Sequence, residues 1–299
     1  MTRLQDKTFI FGLGAQKAGT TWLADYLSTH PQVFMSPIKE LHYFDLRDVP
    51  DVRPIQEAYF LKRMKTLASQ VPDFDQIRAG RGAWRGLNNY VERFNMRSTD
   101  DYLRFFHRRI GDEKVFTEIS PGYALLPAAT YREVYELLDD VRFLFIMRDP
   151  LDRYWSNLRF YQGLLTGFDA KEQYLPSLKD RAIMGRTDYE GTITRLEQAG
   201  IPRGKCLFLF YETLFEESTI ARLCRWMGVD THQPDLEKRV FKSPEVPLPE
   251  EHLATAYDRL RPVYHALYKR TRGRLPVHWL NQMRRFGDLP RPQQAQEAR

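Results

Sequence analysis

Short runs of apolar residues alternate along the chain with segments in which apolar residues recur at helical spacing. The apolar runs predict five buried strands, at residues 9–13, 33–35, 115–121, 141–147 and 206–211. The amphipathic segments predict helices at 22–27, 55–68, 101–110, 128–138, 150–162, 188–199, 220–227 and 252–271. Buried strands that alternate with helices are typical of a mainly parallel sheet with helices on both faces. The pattern therefore predicts a three-layer α/β fold.

Two segments lack this regular alternation. Residues 46–98 show weak periodicity and contain many Arg, Gly and Pro residues. We expect loops there, with the one helix at 55–68, in an insertion that forms a wall of a substrate site. Residues 286–299 are rich in proline and glutamine, which predicts a disordered tail. A single domain is therefore expected over residues 1–285.

The loop after the first strand is the strongest candidate for chemistry. Three glycines surround Lys17, and Thr20 and Thr21 open the next helix. A strand, a glycine-bearing loop and a helix N-terminus together wrap an anion, because backbone N–H groups point at it. Lys17 comes two residues before Gly19, so the loop matches neither a Walker A motif nor a dinucleotide fingerprint. A turn without a ligand is the alternative, which the lysine and the threonines disfavour.

Polar residues also follow the other predicted strands. The carboxyl ends of parallel strands share one edge of the sheet, and ligands bind there. The segments that we expect at this edge are 16–21, 39–42, 118–123, 148–156 and Tyr211. Arg148 offers a planar fork suited to phosphate. A pairing of Arg148 with Asp149 or Asp152 is an alternative of equal weight.

Two of these segments resemble motifs of a known family. Residues 16–23, Gln-Lys-Ala-Gly-Thr-Thr-Trp-Leu, resemble the 5′-phosphosulfate loop of sulfotransferases that use 3′-phosphoadenosine 5′-phosphosulfate (PAPS). Residues 146–156 resemble that family's 3′-phosphate motif, an Arg-Asp-Pro turn with a serine eight residues after the arginine, and 209–212 are similar to an element near the adenine. The resemblance spans residues 8–228 and implies the P-loop-like sulfotransferase fold. It implies donor binding by Gln16, Lys17, Ala18, Gly19, Thr20, Thr21, Trp22, Arg148, Ser156 and Tyr211.

A third segment is similar to one branch of that family. Residues 39–45, Lys-Glu-Leu-His-Tyr-Phe-Asp, resemble a stretch of the heparan-sulfate and related carbohydrate sulfotransferases in which the glutamate is the catalytic base. The resemblance gives this role to Glu40. His42 is then expected to support the base. A second base, a substrate donor and a core histidine paired with Asp45 remain alternatives for His42, and a salt bridge with Lys39 remains one for Glu40.

Residues 118–123 resemble the Glu-Lys-Thr-Pro-x-Tyr segment of the same branch. This makes Glu118, Ser120 and Tyr123 candidates for acceptor binding or site support. Ile119 replaces the family's lysine, which argues against a heparan-like acceptor. For the family's basic loop at the 3′-phosphate, residues 241–243 are the nearest candidate.

The predicted reaction is an in-line transfer of a sulfuryl group from PAPS to an acceptor hydroxyl or amine, leaving 3′,5′-ADP. Anionic groups at both ends of the donor require two cationic stations, Lys17 and Arg148. Lys17 is also expected to stabilise charge on the leaving oxygen, so Lys17, Glu40 and His42 form the expected catalytic set. No metal is expected, because no β- and γ-phosphates need bridging.

Composition narrows the expected partners. An apolar content of 42% supports a large core, and a net charge of +6 favours an anionic ligand. No nucleic-acid-binding signature accompanies this charge, so a glycan, a polar lipid or a small metabolite is the expected acceptor, with the first two favoured. Two cysteines, no leader and no long apolar run predict a cytoplasmic bacterial protein. The basic segment 264–286 adds an expectation of peripheral contact with the inner membrane.

Two other functions compete with this prediction. A small-molecule kinase with a degenerate phosphate loop requires a lysine after Gly19 and an acid at a strand end, and neither is present. A non-catalytic binder at a basic membrane surface is disfavoured, because Lys17, Glu40, Arg148 and Ser156 occur together.

Overall fold

Five short strands form the centre of the protein. The computed structural model describes residues 4–71, 73–233 and 248–290. Its strands are β1 (Thr8–Gly14), β2 (Val33–Met35), β3 (Val115–Ile119), β4 (Val141–Met147) and β5 (Cys206–Phe210). They lie in the order β2-β3-β1-β4-β5, and all four neighbouring pairs are parallel. The predicted parallel α/β sheet is confirmed.

Helices fill the connections between the strands. Those of the described residues are α1 (Thr20–Thr29), α2 (Tyr43–Asp48), α3 (Arg53–Ser69), α4 (Phe74–Ala79), α5 (Gly82–Asn95), α6 (Thr99–His107), α7 (Ala128–Tyr135), α8 (Pro150–Leu164), α9 (Arg181–Gly185), α10 (Tyr189–Gln198), α11 (Glu217–Met227), α12 (Glu250–Arg270) and α13 (Val277–Arg285). None of them combines the length and the apolar character needed to cross a membrane.

The sheet is buried on both faces. Every residue of β1 from Phe9 to Gly14 is buried. Because successive side chains of a strand point to opposite faces, helices must cover both sides. On one face Phe9 stacks on Phe116 with ring centroids 4.6 Å apart and Phe11 stacks on Tyr123 at 4.5 Å, and on the opposite face Ile10 is fully buried. This is the three-layer arrangement that the sequence predicts.

Strand β1 marks the point where the strand order reverses. The chain connects β1 to β2 and β3 on one side, and then crosses to β4 and β5 on the other. Such a switch leaves a crevice beyond the carboxyl end of the central strand. Gly12 keeps the strands close there, since a Cβ at this position would lie 2.7 Å from Cγ1 of Ile119.

The prediction for residues 46–98 was wrong in part. Instead of loops with one helix, the structure has α2 through α5 between residues 43 and 95. Phe60 of α3 packs on Tyr90 and Phe94 of α5, with ring centroids 5.7 and 5.4 Å apart. Gly86 lets Leu67 of α3 approach α5 closely. Contacts between the helices therefore stabilise segments whose own helical pattern is weak.

The predicted start of the disordered tail, at residue 286, is too early in the chain. Phe286 stacks on Tyr257 of α12 at 4.5 Å, and Asp288 accepts a hydrogen bond from the Tyr257 hydroxyl. These residues belong to the folded part of the chain, whereas 291–299 lie outside the described residues.

Candidate active site

The loop between β1 and α1 is held against β4 and against the segment that follows β5. The Ala15 N–H donates to the Ile146 carbonyl of β4 across 2.6 Å. Gly19 has φ +82° and precedes α1, which begins at Thr20. A Cβ on Gly19 would lie 2.9 Å from Leu214 and 3.0 Å from the Tyr211 ring. Only glycine fits here without strain, and the first-turn N–H groups of α1 face the loop as an anion site would require.

Arg148 points at this loop. Its Nη1 donates to the Lys17 carbonyl across 3.0 Å, and its Cζ lies 4.5 Å from the centre of the Tyr211 ring. The neighbouring acids have other partners: Asp149 accepts from the Tyr264 hydroxyl at 2.8 Å, and Asp152 pairs with His278 at 3.1 Å. Arg148 therefore contacts the loop, and among the described residues it forms no ion pair with Asp149 or Asp152.

A buried Arg148 atom is suited to a ligand. The Nε–H group of Arg148 is enclosed and has no hydrogen-bond partner in the described part of the chain. Buried donors without a partner are costly, so such a group calls for an acceptor. A phosphate oxygen is the acceptor that matches the guanidinium fork.

Several cations surround the Lys17 amine. Burial lowers the pKa of Lys17, and the nearby charges of Arg148, Arg159 and Lys39 lower it further. The amine also lies 4.8 Å from the centre of the Phe160 ring. Like charges brought together in a partly enclosed crevice favour an anionic ligand, because it relieves their repulsion.

The remaining predicted donor residues occupy different positions around the loop. Ala18, Thr20 and Ser156 are buried, and Thr21 is half-buried. The Gln16 Oε1 atom is enclosed and without a partner among the described residues. Trp22 packs into the interior against Phe215, with ring centroids 4.9 Å apart, so its predicted donor contact stays a prediction. The predicted basic loop at 241–243 lies outside the described residues.

Residues 39–45 form a turn that carries linked charges. Glu40 and His42 both have positive φ, at 64° and 49°. His42 donates through Nδ1 to Asp45 at 2.7 Å, and its Nε2 lies 3.3 Å from Glu40 Oε2. Lys39 bonds to the other oxygen of Glu40. The segment thus brings the expected base and its expected support into direct contact.

The protonation states follow from these contacts. Burial lowers the pKa of His42, but Asp45 and Glu40 more than offset this and raise it to about 9. Burial raises the pKa of Glu40, yet Lys39 and His42 together hold it well below its usual range. At neutral pH the imidazole is therefore positively charged and Glu40 is an ionised carboxylate.

Glu118, Ser120 and Tyr123 lie beneath this turn. All three are fully buried. Their oxygens accept the backbone N–H groups of three consecutive residues, from Leu41 to Glu118 at 3.2 Å, from His42 to Ser120 at 3.1 Å and from Tyr43 to Tyr123 at 3.0 Å. Burial raises the pKa of Glu118. This geometry corresponds to site support, and contact with an acceptor stays a prediction.

Three further residues, Ile119, Phe160 and Arg93, bear on the site. Ile119 is buried beside Gly12, so the position where the related enzymes carry lysine is here part of the core. Phe160, which the sequence did not single out, is 40% exposed beside Lys17. Its position one helical turn after Ser156 was the available signal. Arg93 of α5 had no sequence pattern that marked it, because it donates to the backbone carbonyls of Leu41 and His42, which are distant in sequence.

Most large apolar side chains of the basic C-terminal segment point inward, and Val277 is its one strongly exposed apolar residue among those described. Leu275, Trp279 and Met283 are buried, and Arg270 is paired with Glu190 and Glu197. A membrane contact through these apolar residues has no support in the geometry. Asp149, Asp152 and His278 bring ligand atoms within 4.8 Å of one another, but their hydrogen bonds within the protein occupy these atoms. The expected absence of a metal stays a prediction.

Comparisons with known proteins agree with this architecture. The family model described as "Sulfotransferase family" matches residues 10–233. A sulfotransferase from Alicyclobacillus acidocaldarius shares 20% identity, covers 92% of this chain and 99% of its own, and superposes with a TM-score of 0.64. The sulfotransferase domain of the Synechococcus PCC 7002 olefin synthase shares 17% identity over 84% of this chain and 93% of its own, with a TM-score of 0.49. No curated protein sequence matches the chain.

Proposed function

This chain belongs to the sulfotransferase family, and we propose that it moves a sulfuryl group from PAPS to a hydroxyl or amine of an acceptor, with release of 3′,5′-ADP. The observation that carries the proposal is the 3.0 Å contact of Arg148 with the Lys17 carbonyl. This contact brings together Lys17 and Arg148, the two cationic residues that a donor with an anionic group at each end requires. The kinase alternative is not retained, since the family match is to sulfotransferases and Arg148 occupies the end of β4.

We assign the two ends of the donor to the two stations. Lys17 and the amides that lead into α1 would hold the 5′-phosphosulfate, and Arg148 with Ser156 would hold the 3′-phosphate. The guanidinium of Arg148 lies over the Tyr211 ring, and its Nε–H, without a partner among the described residues, would donate to a phosphate oxygen. As the S–O bond to the donor breaks, Lys17 would stabilise the negative charge on the departing oxygen.

Glu40 is the proposed base. Its carboxylate is ionised at neutral pH and 27% exposed, and it lies near enough to Lys17 for its charge to raise the pKa of that lysine. A weak base suffices, because the acceptor proton becomes acidic as its oxygen or nitrogen bonds to sulfur. His42 is protonated, so it donates to Glu40 and orients it. Asp45 holds the imidazole in that orientation.

A glycan or a polar lipid is the proposed acceptor. Of the largely exposed large apolar residues among those described, Tyr59, Leu61, Phe74 and Val91 lie in α3 to α5. Burial raises the pKa of Tyr90, and the charges of Tyr59 and Glu40 raise it further. Aromatic surfaces next to the base suit a sugar face or a lipid chain. We accordingly propose residues 46–98 as the acceptor wall of a single domain, which extends past the predicted boundary at residue 285 to include Asp288.

Transfer of label tests the proposal. The protein would be incubated with ³⁵S-labelled PAPS and with extracts divided into glycan, lipid and small-molecule fractions. Label is expected in the glycan or the lipid fraction, and 3′,5′-ADP is expected to bind. No transfer to any fraction, together with no binding of 3′,5′-ADP, would refute the function.

Substitution of Glu40 tests the base. Glu40→Gln keeps the shape and removes the proton acceptor, so turnover should fall by about 10²- to 10⁴-fold with donor affinity unchanged. Glu251→Gln is the matched control, because Glu251 is exposed in the first turn of α12. Full turnover of Glu40→Gln would show that another residue is the base, and His42 would be the next candidate.

A further inference from the structure

Arg93 is a buried arginine without an acidic partner. It lies near the end of α5 and is 5% exposed. In the part of the chain that the structure describes it forms no ion pair, and burial lowers its pKa. Removing a guanidinium from water is expensive, so its hydrogen bonds have to compensate.

These hydrogen bonds go to the turn that carries Glu40 and His42. The Nε–H of Arg93 donates to the Leu41 carbonyl at 2.6 Å, and its Nη2–H donates to the His42 carbonyl at 2.7 Å. The guanidinium also lies 5.4 Å from the centre of the Tyr43 ring. One side chain thus binds two successive peptide groups of the turn.

The backbone of this turn needs such contacts. Glu40 and His42 both adopt left-handed conformations, which cost free energy for residues with a side chain and persist only where surrounding contacts hold them. Glu118, Ser120 and Tyr123 bind the N–H groups of residues 41–43. Arg93 binds carbonyl groups of the same turn, so the two sets hold it from both polar edges.

We propose that Arg93 is a positioning residue for proton transfer, which holds the Leu41–His42 backbone so that the Glu40 carboxylate, oriented by the His42 imidazole, faces the acceptor. This inference rests on the proposed role of Glu40. It also gives the segment 46–98 a second task, since α5 reaches from the acceptor wall to the catalytic turn.

A double-mutant cycle tests the proposal. Turnover is followed as 3′,5′-ADP released from PAPS, with the acceptor from the labelling experiment, or with water as acceptor if none is found. Arg93→Met should lower kcat by at least 10-fold and change the Kd of 3′,5′-ADP by less than threefold. In the Glu40→Gln background, the same substitution should lower kcat by less than threefold, because Arg93 acts through Glu40.

Controls separate this role from simple stabilisation. Arg132→Met removes an arginine of α7 that likewise donates to two successive carbonyls, those of Ala199 and Gln198, away from the catalytic turn, and it should leave kcat unchanged. If Arg93→Met no longer binds 3′,5′-ADP, the protein is not folded correctly, and Arg93→Lys is measured instead. A fivefold loss of kcat with donor binding intact is expected for Arg93→Lys.

The outcomes are distinct. Equal losses from Arg93→Met in both backgrounds, or an unchanged kcat, overturn the positioning role and leave the proposed function standing. An Arg93→Lys variant with full kcat overturns it as well. Full turnover in Glu40→Gln alone refutes the base, and the inference falls with it.

Discussion

Replacement of Arg148 by lysine should weaken recognition of the 3′-phosphate specifically. Lysine keeps the positive charge but loses the planar fork, the Nε–H and the stacking on Tyr211. In the structure the fork already uses Nη1 on the Lys17 carbonyl, at 3.0 Å. The enclosed Nε–H has no partner among the described residues, so it is one of the donors left for a ligand.

The magnitude follows from this arrangement. A hydrogen bond between a charged donor and a phosphate contributes about 1.5–3 kcal/mol. Loss of one such bond should raise the Kd of 3′,5′-ADP by about 10- to 150-fold. The contact of Arg148 with the Lys17 carbonyl is also lost, which loosens the loop and weakens every ligand that binds there. The specific effect therefore has to be measured as a ratio.

Titration calorimetry with two ligands provides that ratio. The Kd of 3′,5′-ADP is compared with that of 5′-AMP, which lacks the 3′-phosphate, in the unmodified protein and in Arg148→Lys. The preference for 3′,5′-ADP should fall by the same 10- to 150-fold. Arg142→Lys, on the same strand but at its opposite end and paired with Asp140, should keep the full preference.

Two results would refute the reasoning. If both ligands weaken equally in Arg148→Lys, Arg148 holds the loop and does not contact the 3′-phosphate. If neither ligand weakens, Arg148 lies outside the donor site altogether.

Two further predictions concern stability. Gly19→Ala should lower the free energy of unfolding by roughly 2–4 kcal/mol, because alanine is strained at φ +82° and its Cβ would meet Leu214 and Tyr211; Gly163→Ala, an exposed helical site with open space around it, should instead raise it by up to about 1 kcal/mol. Urea unfolding measures both, and a Gly19→Ala protein as stable as the original would contradict the close packing. Protonated His42, with its pKa raised to about 9, should contribute stability that is complete below its unfolded pKa near 6.5 and is lost as the pH rises to about 9, roughly 3 kcal/mol in all. The difference in unfolding free energy between the original protein and Asp45→Asn should shrink across this pH range, and a constant difference would show that Asp45 does not hold the charge.

The donor side of the site was predictable because its parts are close in sequence. Lys17, Gly19 and Thr20 lie within one strand-loop-helix unit, whose local pattern specifies both the structure and the charge. Arg148 and Ser156 belong to a second such unit. The parallel sheet then brings the two units together, since both follow strands that end at one edge.

The acceptor side was less predictable. The four helices between residues 43 and 95 depend on contacts with one another and with the catalytic turn, and these contacts leave little periodicity in the sequence. Arg93 shows the difficulty most clearly, because an arginine that binds carbonyl groups some 50 positions away has no partner residue type to reveal it.

By itself the sequence determined the five strands, eight of the thirteen helices described, the parallel sheet and the residues that follow each strand, because apolar periodicity and turn residues act over a few neighbours. It also determined the candidate set Lys17, Glu40 and Arg148. Only the tertiary structure decided that Arg148 faces the loop instead of its neighbouring acids and that Phe160 lies beside Lys17. It alone placed Glu118 beneath the turn at Glu40. These outcomes depend on which distant groups compete for the same hydrogen bonds and the same space, and that competition exists only in the folded chain.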